Sequence, residues 1–244
     1  MTDFGYREVA PEEKTRLVGQ VFSSVAERYD LMNDLMSVGI HRLWKRHFVA
    51  GCGMRPGQRV LDLAGGTGDI AALARRRVGP GGEVVIGDIN PHMLEVGRRR
   101  MDDRGTVDGF SWLQLNAEAL PLAERRFDHV TIAFGLRNVT DKPAALAEMH
   151  RVLKPGGRVH ILEFSEVRPK PLARAYDLWS FQVLPRLGER VAGDRSSYQY
   201  LAESIRRFPN QKKLAGMLEA AGFERVAWEN LSSGIAAIHR GVKV

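Results

Sequence analysis

The stretch V-L-D-L-A-G-G-T-G-D-I from Val60 to Ile70 reads as a buried strand that breaks into a glycine turn and then opens a helix. V-V-I-G-D at Val84 to Asp88 answers it with a second strand ending in a carboxylate, twenty residues past Gly68. That pairing is how an open α/β sheet holds a nucleoside. Backbone packs closely on the ligand at the glycines, and the acid accepts hydrogen bonds from ribose hydroxyls.

The same turn discriminates between nucleosides. A dinucleotide fingerprint is G-x-G-x-x-G with a pyrophosphate on the helix amino terminus. Here the small residues are Ala64, Gly65, Gly66 and Gly68, and the acid Asp62 stands inside the motif. An acid facing a pyrophosphate repels it, whereas an acid near an amino acid's ammonium attracts it. S-adenosylmethionine carries an ammonium, a sulfonium and a ribose, so it suits Asp62, Gly66, Gly68 and Asp88 better than NAD does.

Outward from this motif, strand and helix signals alternate. Strands are expected at Arg59–Leu63, Glu83–Asp88, Phe110–Leu115, Phe127–Phe134, Arg158–Phe164, Phe223–Asn230 and Gly234–Arg240. Helices are expected at Ile70–Arg77, Met93–Met101 (with Pro91 at its start), Lys142–Leu153 and Gln211–Ala221, the last capped by Gly222. K-P-G-G at Lys154 to Gly157 reads as a helix stop and a turn. The fold class is α/β: a doubly wound, mostly parallel, Rossmann-like seven-stranded sheet. Its last two strands flank Ser232, Ser233 and Gly234 and are expected to pair antiparallel.

Two segments lie outside the bare sheet. Pro11 to Val49 carries apolar residues at helical spacing, and Ser165 to Pro209 is rich in large apolar groups such as Trp179, Phe181 and Leu184. Ligands of open sheets bind outside the carboxyl ends of the strands, so both segments are expected to cover that edge. The alternative is that they are packing layers that finish the core. The organisation expected is a single domain: a helical cap at 11–50, a nucleoside-binding core at 51–164, a substrate-covering insertion at 165–210, and a final helix and strand pair at 211–244.

Composition bounds the setting. The 244 residues can bury roughly 70% of the unfolded surface without staples. Cys52 is the single cysteine, which excludes an internal disulfide and a cysteine metal cluster and fits a reducing, cytoplasmic compartment. No apolar run approaches the roughly 20 residues of a membrane span, and M-T-D-F-G-Y-R-E does not read as a secretory signal. The formal charge is +7, with basic runs at Arg75–Arg77 and Arg98–Arg100. These runs lack interleaved aromatics, so nucleic acid is disfavoured against solvated helix faces or a membrane surface.

The remaining candidates sit after the later strands and in the amino-terminal helices. Asn116 and Ala117 follow the third strand, where a loop lines a base. Asp88 is the ribose acid, with a helix cap as its alternative. Arg137 and Asn138 follow Gly135 after the fourth strand, at the edge where chemistry occurs. Arginine stays protonated, so Arg137 stabilises an oxyanion or orients a water; the alternative is a salt bridge, for instance to Asp141. Tyr29 and His41 are further candidates, although a lone histidine in a helical layer is more often a capping group. No metal-ligand spacing stands out around His47 or Cys52, and no metal is expected.

With these residues in view, the chain resembles the class I S-adenosylmethionine-dependent methyltransferases, and within them the quinone-biosynthesis C-methyltransferases that act on demethylmenaquinol or a polyprenyl methoxybenzoquinol. The resemblance rests on V-F-S-S-V-A-E-R-Y-D-L-M-N-D (Val21–Asp34), M-S-V-G-I-H-R-L-W-K (Met36–Lys45), F-G-L-R-N-V (Phe134–Val139), R-V-L-K-P-G-G (Arg151–Gly157) and S-Y-Q-Y-L (Ser197–Leu201). It implies donor contacts at Thr67, Asp88, Asn116 and Ala117, and Ala133 stands where the family often has a serine. It further implies ring-carbon methylation of a polyprenylated quinol in menaquinone or ubiquinone biosynthesis, with Arg137 and Asn138 at the quinol oxygens and Tyr29 or His41 as helpers. Peripheral membrane contact, a homodimer and membership of a quinone-synthesis complex stay open. Another small-molecule methyltransferase, or a non-catalytic scaffold, is the alternative.

Overall fold

Period-two alternation in the strand Arg59–Leu63 sends Val60 to one face of the sheet and Leu61 and Leu63 to the other, and all three are fully buried. Burial on both faces is what a parallel sheet between two helical layers requires. The computed structural model describes residues 1–25, 33–34, 37, 39–105, 108–192 and 194–244.

A short hairpin, β1 (Thr2–Phe4) and β2 (Arg7–Val9), leads into helices α1 (Pro11–Val25) and α2 (His41–Gly51). The alternating core follows: β3 (Arg59–Leu63), α3 (Asp69–Val78), β4 (Glu83–Asp88), α4 (Pro91–Asp103) and β5 (Phe110–Gln114). After it come β6 (Phe127–Ala133), α5 (Lys142–Val152) and β7 (Leu153–Phe164). Helices α6 (Lys170–Leu178), α7 (Leu184–Ala192) and α8 (Arg195–Arg207) form the insertion, with a π-helical segment Trp179–Val183 between the first two. The chain closes with α9 (Gln211–Ala220), β8 (Glu224–Leu231) and β9 (Ala236–Val242).

The strand order is β5-β4-β3-β6-β7-β9-β8. Neighbours from β5 to β7 are parallel, and β9 runs antiparallel to both β7 and β8. This is the expected seven-stranded sheet with its antiparallel closing pair. The chain moves outward one way through β4 and β5, then returns to lay β6 and β7 on the other side of β3. The order therefore reverses between β3 and β6, which opens a crevice at their carboxyl ends.

One layer joins Trp44, Phe48, Val60 and Ile86 with Leu184, Tyr198 and Leu201; the other joins Leu61 and Leu63 with Leu146, Met149, Leu214 and Leu218. The insertion thus helps complete the core on the α2–α3 side. Two features differ from expectation. K-P-G-G does not form a free turn: α5 ends at Val152, Leu153 already pairs with Phe127, and a register shift between Phe127 and His129 absorbs the extra residues inside β7. The hairpin β1–β2 was not expected, because three-residue strands carry too little periodicity to read.

Candidate active site

The turn after β3 needs its small residues for two different reasons. Ala64, Gly66 and Gly68 all adopt positive φ, at 48°, 51° and 82°, and glycine occupies that region without the cost a side chain adds. Gly68 is also the residue from which α3 starts. Gly135, by contrast, is small because of packing: a Cβ there would lie 2.4 Å from the Cβ of Ala64. The F-G-L-R-N turn and the glycine turn are therefore pressed together, and a single cavity runs along both. It is lined by Gly65, Gly66 and Thr67 on one side and by Ala133, Phe134 and Asn138 on the other.

At the end of β4, Asp88 accepts from the backbone N–H of Gly66 (3.0 Å) and of Asn90 (2.9 Å) and lines the cavity. Burial raises its carboxyl to about 6, although these N–H donors favour the charged form. The helix-cap alternative does not apply. Asn90 caps α4, its Oδ1 accepting from the N–H of His92 and Met93. Its Nδ2 donates to Gly19 O and Ser23 Oγ of α1, fastening that helix over the crevice. Nothing in the sequence announces this hold on α1, because Gly19 and Ser23 lie about seventy residues from Asn90. Asn116 and Ala117 line the cavity beyond β5, and Glu118 beside them accepts from the N–H of Thr140 and Asp141.

Asp62 sits on the floor. Its Oδ1 accepts from Thr131 Oγ1 at 2.7 Å, while its buried Oδ2 makes no well-formed hydrogen bond, the Ala71 N–H acting on the carboxyl only weakly. Burial raises this carboxyl to about 7, with the neighbouring charge of Asp88 adding to the rise. A buried carboxylate oxygen so weakly satisfied is a strong demand for a donor. An amino-acid ammonium meets that demand and a pyrophosphate does not, so these residues fit S-adenosylmethionine.

The F-G-L-R-N turn forms a 3₁₀ segment, Leu136–Asn138, held from three sides. Glu163 at the end of β7 accepts from Arg137 Nη1 (2.8 Å), from the Arg137 backbone N–H (3.3 Å) and from the Phe164 N–H (2.9 Å). Tyr200 of α8 donates its hydroxyl to Asn138 Oδ1 at 3.0 Å, and burial pushes that phenol above its usual range. Lys14 and Lys142 both donate to the Val139 carbonyl, and burial next to Lys142 lowers Lys14 to about 8.

Among the sequence candidates, Asp62, Gly66, Thr67, Asp88, Asn116, Ala117 and Asn138 line one cavity. Gly68 sits just behind it as the start of α3. Arg137 corrects the expectation: it lies behind the cavity wall, 4% exposed, with its guanidinium on Glu163 and over the Phe164 ring. The salt bridge is real, but its partner is Glu163 rather than Asp141. Arg137 Nε and Nη2 are buried without a protein acceptor.

His41 is corrected as well. It is buried outside the cavity lining, with Nε2 on Asp34 Oδ1 at 2.8 Å and its backbone N–H on Ser37 Oγ. Burial and the charge of Lys45 hold its imidazole below the usual histidine range, against the Asp34 carboxylate, which raises it. Tyr29 lies outside the described residues. No described residue of the 165–210 insertion lines the cavity; Thr15, Val18, Gly19 and Phe22 of α1 do so instead. Lys45 and Asp69, unmarked by the sequence reading, also line it as a 2.7 Å ion pair. Among the described residues no group of three His, Cys, Asp or Glu side chains could hold a metal ion.

Comparison with known proteins gives this geometry a family. A ubiquinone/menaquinone biosynthesis C-methyltransferase, UbiE, of Xanthomonas axonopodis pv. citri is 60% identical over 243 residues, covering 100% of this chain and 96% of the relative. The protein of the same name from Serratia proteamaculans is 58% identical over 242 residues, covering 99% and 96%. Solved structures share the fold at low identity. A SAM-dependent methyltransferase from Aquifex aeolicus matches with TM-score 0.60 at 18% identity, over 97% of this chain and 100% of that one. The [4+2]-cyclase SpnF matches with TM-score 0.68 at 18% identity, over 94% and 96%. The model of the ubiE/COQ5 methyltransferase family matches residues 8–243, and the chain belongs to that family.

Proposed function

We propose that this chain transfers the methyl group of S-adenosylmethionine to a ring carbon of a reduced, polyprenylated quinol in menaquinone or ubiquinone biosynthesis. One observation carries the reading: Asp62, Thr67 and Asp88 line one continuous cavity with Phe134, Gly135, Asn138 and Val139 of the family-specific turn. Bound there, the donor supplies a methyl on a positively charged sulfur. On this reading Asp88 takes the ribose hydroxyls, Asn116 and Ala117 the base, and Asp62 the ammonium, a reading supported by their shared cavity.

The acceptor half is assigned to the turn. Hydroxyl groups make the neighbouring ring carbon of a quinol nucleophilic, whereas the same carbon of a quinone is electrophilic. Tyr200 occupies Asn138 Oδ1, which leaves the amide nitrogen of Asn138 as the donor toward a quinol oxygen in the cavity. Arg137 stands behind as a fixed positive charge that favours the phenolate, without touching the cavity wall. Apolar Val18, Phe22, Met93 and Val139 exclude water from the ring. Alignment of carbon, methyl and sulfur in such a site supplies roughly 7–11 kcal/mol of barrier lowering.

A polyprenyl substrate resides in the bilayer, so the reading includes peripheral contact with a membrane. Among the described residues no helix is long and apolar enough to cross one. Exposed Leu172 and Leu178 on α6, with Arg168, Lys170 and Arg174 around them, suit a surface contact with anionic lipid. Purified protein offered both reduced head groups with isotopically labelled donor tests the function. Label is expected in the naphthoquinol product, the benzoquinol product or both. Transfer to neither, with donor binding intact, replaces this reading by another small-molecule methyltransferase; loss of donor binding as well leaves a scaffold.

A further inference from the structure

The short amino-terminal hairpin β1–β2 stands apart from the seven-stranded sheet, and none of its residues lines the cavity. We propose that Phe4 of this hairpin is a positioning residue for the acceptor, acting through Tyr200 on the amide of Asn138. The inference rests on the acceptor reading above and extends it to a segment that no site motif involves.

Tyr200 and Glu203 stand three apart on α8 and Arg207 follows four later, so the three share one face of that helix. Three successive hairpin residues meet them in order. Phe4 stacks on the Tyr200 ring, with centroids 4.2 Å apart and planes 17° apart. Gly5 turns the chain at a φ of 60°, so close to α8 that a Cβ would collide with the Glu203 carboxylate. The N–H of Tyr6 donates to Glu203 Oε2 at 3.0 Å, and the Arg207 guanidinium lies over the Tyr6 ring at 5.7 Å. This docking is fixed in register, yet it adds little to the core, since Tyr6 is exposed and Phe4 only half-buried.

What the docking fixes is a ring. A phenol turns about two torsions, and its hydroxyl bond to Asn138 Oδ1 at 3.0 Å pins only the far end. Phe4 lies against the ring face and sets its plane. With its oxygen held this way, Asn138 keeps its amide nitrogen for the quinol, and small displacements of such a group cost turnover steeply. The same stretch of chain runs on into α1, where Lys14 donates to the carbonyl of Val139, the residue after Asn138. The amino-terminal segment therefore grips the acceptor turn at two neighbouring residues, once through Tyr200 and once directly.

A packing role and a positioning role separate in a double-mutant cycle on kcat, with the reduced head group as acceptor. Phe4→Ala is expected to lower kcat roughly two- to tenfold, as for the loss of one ring pair, with the KM for S-adenosylmethionine unchanged. In a Tyr200→Phe background no hydroxyl reaches Asn138, and the same substitution should lower kcat no further. Phe4→Tyr should retain wild-type kcat. Phe4→Leu keeps apolar bulk without a ring, so it should behave as alanine does, and it takes alanine's place if that variant does not fold. Effects that multiply in the cycle, a raised donor KM, or full activity in Phe4→Leu overturns the assignment. A wild type that binds the donor and methylates no quinol is the separate failure of the acceptor reading and takes this inference with it.

Discussion

The donor side and the acceptor side of the cavity are built in opposite ways. Around Gly66 and Asp88 the work is mostly local: a strand, a positive-φ turn and a helix start within one βαβ unit, with Thr131 of β6 added on Asp62. Around Arg137 and Asn138 it is remote. The turn is fixed by Glu163 from β7, Tyr200 from α8 and Lys14 from α1, which are 26, 62 and, to Val139, 125 residues away in sequence. The donor side can therefore serve many acceptors unchanged, while the acceptor side depends on how the whole chain is folded around it.

Breaking the remote side should cost most. Arg137→Ala leaves Glu163 charged, buried and unpaired, so a loss of about 3–5 kcal/mol of stability is expected in chemical denaturation, together with turnover. A double replacement, Arg137→Met with Glu163→Leu, should recover much of the stability and none of the turnover. Wild-type stability in Arg137→Ala would show that the pair does not hold the turn.

Breaking the local side should spare the fold and remove the ligand. Asp88→Ala deletes a carboxylate that burial disfavours but also takes the acceptor from the Gly66 and Asn90 N–H groups, so a modest loss of about 1–3 kcal/mol of stability is expected, short of unfolding. Affinity for S-adenosylhomocysteine in calorimetry should fall roughly a hundredfold, as charged hydrogen bonds to two hydroxyls disappear. A variant that unfolds instead would make Asp88 structural rather than ligand-binding.

Protonation separates the two sides more gently. Asp62 is raised to about 7 by burial, well above the roughly 3.9 of an unfolded aspartate, so the folded state binds a proton that the unfolded state has released. Its stabilising contribution is complete below about pH 4 and is lost as pH rises through about 7. Ligand-free Asp62→Asn should therefore gain thermal stability over wild type as pH increases from 5 to 8. For the ligand the sign reverses: the ammonium needs the ionised carboxylate, so wild-type affinity should drop as pH falls through 7, and the variant's should not. Parallel profiles for the two proteins would remove Asp62 from ammonium binding.

The smallest effect is expected at Tyr200. Tyr200→Phe removes one hydroxyl, frees the Asn138 amide to rotate, and should lower kcat up to about tenfold, equivalent to the roughly 0.5–1.5 kcal/mol of one hydrogen bond. The KM for the donor should stay constant. A raised donor KM with unchanged kcat would place Asn138 on the donor side instead.

The same contrast explains what the sequence makes legible. The glycine turn, Asp88 and all seven sheet strands follow from patterns spanning ten to thirty residues, and Asp62 already argues for an amino-acid ligand. The donor grip of Asn90 on α1, the Lys45–Asp69 pair and the Glu163 anchor are hydrogen bonds between distant segments, and no local pattern announces them. For that reason Arg137 reads from sequence as a cavity-lining cation when its charge is turned onto β7, and His41 as a site residue when it lies outside the described cavity lining. The insertion at 165–210 reads as a lid because it is apolar, but its apolar residues Leu184, Tyr198 and Leu201 are spent on the core.

The central claim is that a reduced ring carbon meets the donor's methyl beside Asn138. Incubating the enzyme with carbon-13 methyl-labelled S-adenosylmethionine and a short-chain head group, offered as quinol and as quinone, tests it by NMR of the product. The account predicts a carbon-bound ring methyl from the quinol and no product from the quinone. A labelled methyl on oxygen, or equal transfer to the oxidised ring, would contradict it.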